Sequence, residues 1–204
     1  MYKLYGLSTS GNSYKVRLML AHLGETYQWE EIPSSLVMPR TPEFLAINPN
    51  GKVPVLILPD GQPLAESDGI LYYLGHGTPY LPEGRLEQAQ VVGWMCFEQH
   101  SHEPYLALPR VLQRFPDDPR HADLPELYKK GYFALGVLEK HLSEHDFIVG
   151  EAYSVADMAL FAYTHVAHEG GYDLAPYPAV GRWLQRVASQ AGHIPITAPP
   201  GPVN

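Results

Sequence analysis

Two short stretches of this 204-residue sequence carry residue types suited to holding an anion. The first is STSGNS, residues 8–13, between an alternating run (YKLYGL) and a helical one (YKVRLMLAHLG). A loop between a strand and a helix start offers hydroxyl donors together with backbone N–H groups that the helix does not use. Ser8, Thr9, Ser10, Asn12 and Ser13 are all donors, and any of them could equally cap the helix. The second stretch is Glu66–Ser67, at the start of SDGILYYLG, where a serine can receive an anion as readily as it can cap. Val53–Pro54 precedes an apolar run and reads as a strand opened by proline. On residue type alone, Arg40 and Lys52 are solvated surface cations. Metal chemistry has two superficial signals. HLSEH, residues 141–145, matches a zinc-peptidase pattern, but it ends an amphipathic helix with a charged face. His100 and His102, two residues apart, point to different sides of a helix, so sharing a metal would require a break near Pro104. No metal site is assigned. SVAD, residues 154–157, is a capping box whose work is structural; loss of Ser154 would cost on the order of 1 kcal/mol.

The elements that must position these groups follow from periodicity. YKLYGL alternates as a strand, and the helix after it has Val16, Met19, Leu20 and Leu23 on one side, Asn12 or Ser13 suited to its N-cap and Gly24 as its stop. A strand near Tyr27–Ile32 follows, then a polar stretch, then VPVLIL as a central strand. Asp60–Gly61 suits a tight hairpin, making PLAE an antiparallel partner ahead of the helix SDGILYYLG. Residues 1–75 therefore read as one small α/β domain, with 76–85 (HGTPYLPEGR) as a linker. Residues 86–192 read as helical throughout, beginning with a long amphipathic stretch, and 193–204 as a loose, proline-rich tail.

Composition narrows the function classes. The single cysteine, Cys96, excludes an internal disulfide, a CxxC redox pair and a four-cysteine zinc site, and suits a reducing compartment. A net charge of −8 with no basic cluster argues against nucleic acid as a partner. No apolar run reaches the length of a membrane span, and the opening MYKLYGLSTS does not resemble a secretory signal, so the expected location is the cytoplasm.

Four segments in order resemble the glutathione transferase superfamily, from Tyr2 to about Gly192: LYGLSTSGNSYKVRLML, NPNGKVPVL, LAESDGILYYL and FIVGEAYSVADMALFAY. YPAVGRWLQRV is similar to the family's last helix. The resemblance implies an α/β thioredoxin-like N-terminal domain followed by an all-α C-terminal domain, the cytosolic glutathione transferase fold. It also implies glutathione as co-substrate with no metal, a small hydrophobic electrophile, and a homodimer. Alignment with serine-type members places Ser10 at the active serine, with Asn12 a further donor toward the sulfur and Ser8, Thr9 and Ser13 as competitors. The same resemblance implies that Val53–Pro54 is cis, with the Val53 backbone pairing with the peptide ligand. Glu66 and Ser67 match the pair that binds the γ-glutamyl ammonium and carboxylate. Arg40 and Lys52 fall where the family places groups for the glycine carboxylate. One departure is Gly69, where alanine is more usual, which would loosen that helix start.

The chemistry explains why such residues are needed. A free thiol with a pKa near about 8.5 is only a few per cent ionised at neutral pH. Lowering that pKa to about 6.5 takes roughly 2.7 kcal/mol, at about 1.36 kcal/mol per unit. A helix N-terminus supplies about 0.3–1 kcal/mol and a hydrogen bond to a charged group about 1.5–3 kcal/mol, so the two together suffice. Nucleophilicity falls with pKa, so the net gain from ionisation is a few-fold and most of the acceleration must come from positioning. The alternative is a non-catalytic member that retains the fold as a binding or interaction module. A glutaredoxin-like reductase is disfavoured because the loop has no cysteine.

Overall fold

Strand β1, Tyr2–Gly6, pairs in parallel with β2, Tyr27–Glu31, and antiparallel with β3, Val55–Ile57, which itself pairs antiparallel with β4, Pro63–Ala65. The sheet order is β2-β1-β3-β4. The parallel pair requires a crossover, and helix α1, Gly11–Leu23, supplies it. The computed structural model describes residues 1–32 and 41–201. Arg40 lies outside the described residues. Helix α2, Pro42–Ile47, is capped by Thr41, and α3, Ser67–Gly75, follows β4 directly. The hairpin between β3 and β4 closes through Leu58 N–H to Gln62 carbonyl (2.9 Å), with Asp60 Oδ1 accepting from Gln62 N–H (3.0 Å). The chain divides into two units, Met1–Thr78 with Ala191–Asn204, and Pro79–Gln190.

Helix α1 departs from its expected pattern in two ways. Its N-cap is Ser10, not Asn12 or Ser13: Ser10 has extended backbone angles and its side chain accepts from Ser13 N–H, so the helix begins a few residues earlier than expected. Burial also extends beyond the stripe of Val16, Met19 and Leu20, since Lys15 and Arg17 are fully buried as well. Burying two cations is tolerated only if each is bonded. Lys15 pairs with Asp68 at 3.0 Å, and Arg17 donates to the carbonyls of Ile196 (3.3 Å) and Ala198. Gly24, at φ 66°, ends the helix in the left-handed region that a residue with Cβ would resist.

Those Arg17 bonds overturn the expectation of a loose tail for residues 193–201. Tyr14 Oη–H donates to Ile194 carbonyl (2.7 Å), His22 Nδ1–H to Ala191 carbonyl (2.9 Å), and Gly201 N–H to Tyr27 Oη (3.3 Å). Apart from the Gly201 N–H, the tail is held through its backbone carbonyls, which its proline-rich composition leaves available. Burial lowers the pKa of both His22 and His193, and His22 adds to the effect on His193. A group whose folded pKa is depressed loses protons more readily when folded. As pH falls below about 6.5, the unfolded chain therefore takes up protons first and stability declines. Measured by thermal unfolding at pH 7.5 and 5.5, acid should lower the Tm of the unaltered chain relative to that of His193→Gln. An equal shift in both proteins would exclude the tail as its source.

At Gly69, an added Cβ would meet only the Glu66 Cβ, at an ordinary 3.9 Å. Gly69→Ala should therefore stabilise the first unit by about 0.5–1 kcal/mol, through helix propensity and lost unfolded-state entropy. Chemical denaturation checks this, and a loss of stability would contradict it.

The second unit is helical. The expected long amphipathic stretch is interrupted: α4, Arg85–Phe97, passes into a π-helical segment, Glu98–His102, and then into α5, Glu103–Leu112. Pro104 explains the change, since it has no N–H for the ladder and its ring crowds the carbonyl four residues back, which the wider π turn relieves. His102 is buried with Nε2 bonded to Thr164 Oγ1 (2.9 Å), whereas His100 is exposed, so the two rings do not converge. Helix α7, Val155–Thr164, is buried along its whole length and packs against α4, α5 and α8, Pro178–Ala188, while α6, Leu124–Leu142, packs on α5 and α8. The capping box forms as read. Asp157 accepts from Ser154 N–H and Ser154 Oγ–H (both 3.0 Å), Ile148 N–H (2.9 Å) and the indole N–H of buried Trp183 (2.8 Å). Burial pushes its carboxyl up to about 6 against the pull of these donors. Among the described residues, no helix is long and apolar enough to cross a membrane.

Candidate functional site

The hydroxyls of the loop between β1 and α1 have different partners. Ser8 is engaged by Glu31, whose Oε1 accepts from both Ser8 N–H and Ser8 Oγ–H at 3.0 Å. Ser13 is buried and its Oγ accepts from Leu7 N–H (3.1 Å). Ser10 is half-buried, and its Oγ accepts from Ser13 N–H (3.3 Å). A hydroxyl that accepts still has its own proton to donate. Thr9 is exposed and Asn12 half-buried.

Ser67 is the first residue of α3 and is buried. Its hydroxyl donates to Asn12 Oδ1 (3.3 Å), on the first turn of α1. Two helix N-termini thus meet, each with first-turn N–H groups the helix cannot satisfy and a positive dipole end. Placing two such ends together is favourable when anions lie between them. The cation behind them is arranged to suit: Lys15 Nζ donates to Asp68 Oδ1 (3.0 Å) and Ser67 Oγ (3.3 Å).

Glu66, just before α3, is exposed and sits at φ 67°, an unusual backbone angle for a residue with Cβ. Its Oε1 accepts from Asn50 Nδ2–H (3.3 Å). Asn50 lies in the loop that leads into β3, which Asn48 closes by donating Nδ2–H to the Lys52 carbonyl (2.8 Å) and accepting from Asn50 N–H (3.1 Å). Lys52 is exposed. The Val53–Pro54 bond that follows is cis. Asn12 and Ser67 are thus brought into contact, and Glu66 is tied to the loop that carries Lys52 and Val53.

Reading by residue type missed Lys15 and Asp68. A signal existed for Lys15, which lies three and four residues before Leu18 and Met19 and so shares their buried side. Asp68 had no comparable signal, because an acidic residue in a helix's first turn is ordinary.

The histidines of HLSEH bond to the backbone. His141 Nε2 lies 3.0 Å from Ile148 carbonyl and His145 Nδ1 lies 2.9 Å from His141 carbonyl, which occupies one nitrogen of each ring. Burial, then the neighbouring His145, lowers the pKa of His141. Among the described residues no group of three possible metal ligands converges.

Comparison with known proteins agrees with this architecture. The family model for the glutathione S-transferase N-terminal domain matches residues 9–76, and that for the C-terminal domain matches residues 93–191. A crystal structure of glutathione S-transferase from Pseudomonas fluorescens is 48% identical, covers 96% of this chain and 98% of its own, and superposes with a TM-score of 0.93. Ure2p in complex with glutathione is 26% identical with a TM-score of 0.82, covering 94% of this chain and 91% of its own. The disulfide-bond oxidoreductase YfcG of Escherichia coli is 29% identical over 209 residues, 93% of this chain and 91% of its own. A four-stranded sheet of this order, a cis-proline strand, two apposed helix starts and a helical second unit, matched by family models over most of the length, make this chain a member of the glutathione S-transferase family.

Proposed function

We propose that this chain binds glutathione on its first unit, ionises the thiol, and delivers the thiolate to a small hydrophobic electrophile. The observation that carries the reading is the Ser67–Asn12 hydrogen bond, which joins two helix starts, one suited to a carboxylate and the other to a sulfur anion. Glutathione has both groups on one molecule. In this reading Ser10 donates its hydroxyl proton to the sulfur, assisted by the Asn12 amide, while Ser13 N–H holds the Ser10 oxygen in place. The start of α3, with Ser67, takes the γ-glutamyl carboxylate and Glu66 takes the ammonium. The Val53 backbone, ahead of Pro54, pairs with the peptide, and Lys52 and Arg40 take the glycine carboxylate. For Arg40 the support is family likeness alone. Ure2p, a structural relative, forms a complex with glutathione, which supports the ligand assignment.

Glutathione-dependent reduction is a second use of the same thiolate, favoured by likeness to a disulfide-bond oxidoreductase. A thiolate supplied by the ligand attacks a disulfide without any cysteine in the loop. Assembly as a homodimer in the cytoplasm completes the reading. Exposed apolar side chains on α3 (Tyr73) and on α4 (Leu86, Val92) support the dimer.

Retention on glutathione resin, combined with turnover of a generic aromatic halide and of a small disulfide, tests the assignment. Retention with turnover is the expected result, and the preferred substrate separates transfer from reduction. Retention without either turnover would favour a binding module, and failure to be retained would overturn the reading.

A further inference from the structure

Lys15 is fully buried and Asp68 nearly so, and Asp68 Oδ2 has no hydrogen-bond partner among the described residues. A buried ion pair of this kind is seldom more stabilising than a well-packed apolar pair, because the cost of removing both charges from water offsets their attraction. Its presence beside Ser67 therefore calls for something other than stability. The hydrogen-bond chemistry supplies it. An ammonium only donates, so in the Lys15–Ser67 contact (3.3 Å) Ser67 Oγ must accept. The Ser67 proton is thereby directed elsewhere, and the acceptor within reach is Asn12 Oδ1 (3.3 Å). An amide whose oxygen is identified in this way presents its NH2 on its other side. A carboxylate arriving at the start of α3 meets first-turn backbone N–H groups, so the Ser67 proton can remain on Asn12.

We propose that Lys15, held by Asp68, is a positioning residue: acting through the Ser67 hydroxyl, it fixes which end of the Asn12 amide faces the loop that receives the sulfur. Lys15 touches no part of the ligand in this scheme. The inference rests on the glutathione reading above and deepens it, since it makes the γ-glutamyl and thiol ends of the site parts of one hydrogen-bonded chain, Asp68–Lys15–Ser67–Asn12.

The test replaces the pair by apolar residues, Lys15→Met/Asp68→Leu, which leaves no buried charge unpaired. Its readout is the ultraviolet absorbance of bound thiolate, titrated against pH at saturating glutathione. The expected result is an ionisation midpoint raised by about half a unit, roughly threefold in the ionisation constant at about 1.36 kcal/mol per unit. The same replacement made in an Asn12→Ala background should add nothing further, because both changes break one chain. A purely structural pair would instead change stability and leave the midpoint in place. Ser67→Ala, which breaks the chain at its middle and removes a single oxygen, should raise the midpoint in the same direction and serves if the double variant fails to fold. An unmoved midpoint in a folded variant, or additive shifts with Asn12→Ala, would overturn the relay while leaving glutathione binding intact. Failure of the unaltered chain to bind glutathione would overturn the relay together with the reading beneath it.

Discussion

Ser10→Ala is expected to raise the pKa of bound glutathione by about one to two units and to lower turnover at neutral pH by about tenfold, with the fold intact. The pKa change follows from losing one hydrogen bond to a charged sulfur, about 1.5–3 kcal/mol, at about 1.36 kcal/mol per unit. The turnover change is smaller than the lost ionisation suggests, because a more basic thiolate is a better nucleophile, with a Brønsted slope of about 0.4–0.5. Ionisation alone then accounts for a few-fold. The remainder is positioning, where small misplacements cost up to about a hundredfold. Ser10 is also the N-cap of α1, so the variant should lose about 1 kcal/mol of stability. The two roles separate by pH. Activity lost through ionisation returns in alkaline buffer, where the thiol ionises unaided, whereas a deficit from a frayed helix does not. A pH–rate profile measured at fixed saturation decides between them, and an unchanged profile would exclude Ser10 as the donor.

Asp157→Ala is expected to cost about 3 kcal/mol or more at pH 7, a large share of the about 5–15 kcal/mol that holds an ordinary protein folded. The carboxylate is fully buried and accepts four hydrogen bonds from Ile148, Ser154 and Trp183. Alanine would strand buried donors, each costing about 1–3 kcal/mol when left unmet, with incomplete additivity. Because burial raises the folded carboxyl to about 6, the folded chain holds a proton there that the unfolded chain has released. The contribution of Asp157 is therefore greatest below about pH 4 and declines as pH rises through about 6, so neutral pH gives the lower bound. Chemical denaturation of both proteins measures the difference, and a change below about 1 kcal/mol would mean that water replaces the carboxylate at little cost.

Parts of the fold were legible because they are local. Alternation in β1, the left-handed stop at Gly24, the Asp60–Gly61 hairpin and the Ser154–Asp157 box are all written within a few residues. The hidden features depend on distant partners. The tail is held by its own carbonyls, which every sequence possesses, against Tyr14 and Arg17 some 180 residues away. The π segment at Glu98–His102 preserves an amphipathic pattern, so Pro104 is its only trace in the sequence. In the candidate site, Ser10 is read as the sulfur's donor by family likeness, and the structure adds the bonds of Ser8 to Glu31, of Ser13 to Leu7 N–H and of Ser10 to Ser13 N–H. Lys15 was overlooked because a lysine between tyrosine and valine reads as solvated until Asp68 is seen beside it.

The most direct test is a pH titration of thiolate absorbance for glutathione bound to the unaltered protein. The account predicts an ionisation midpoint at least a full unit below that of the free tripeptide. A midpoint equal to that of free glutathione under saturating conditions would contradict it.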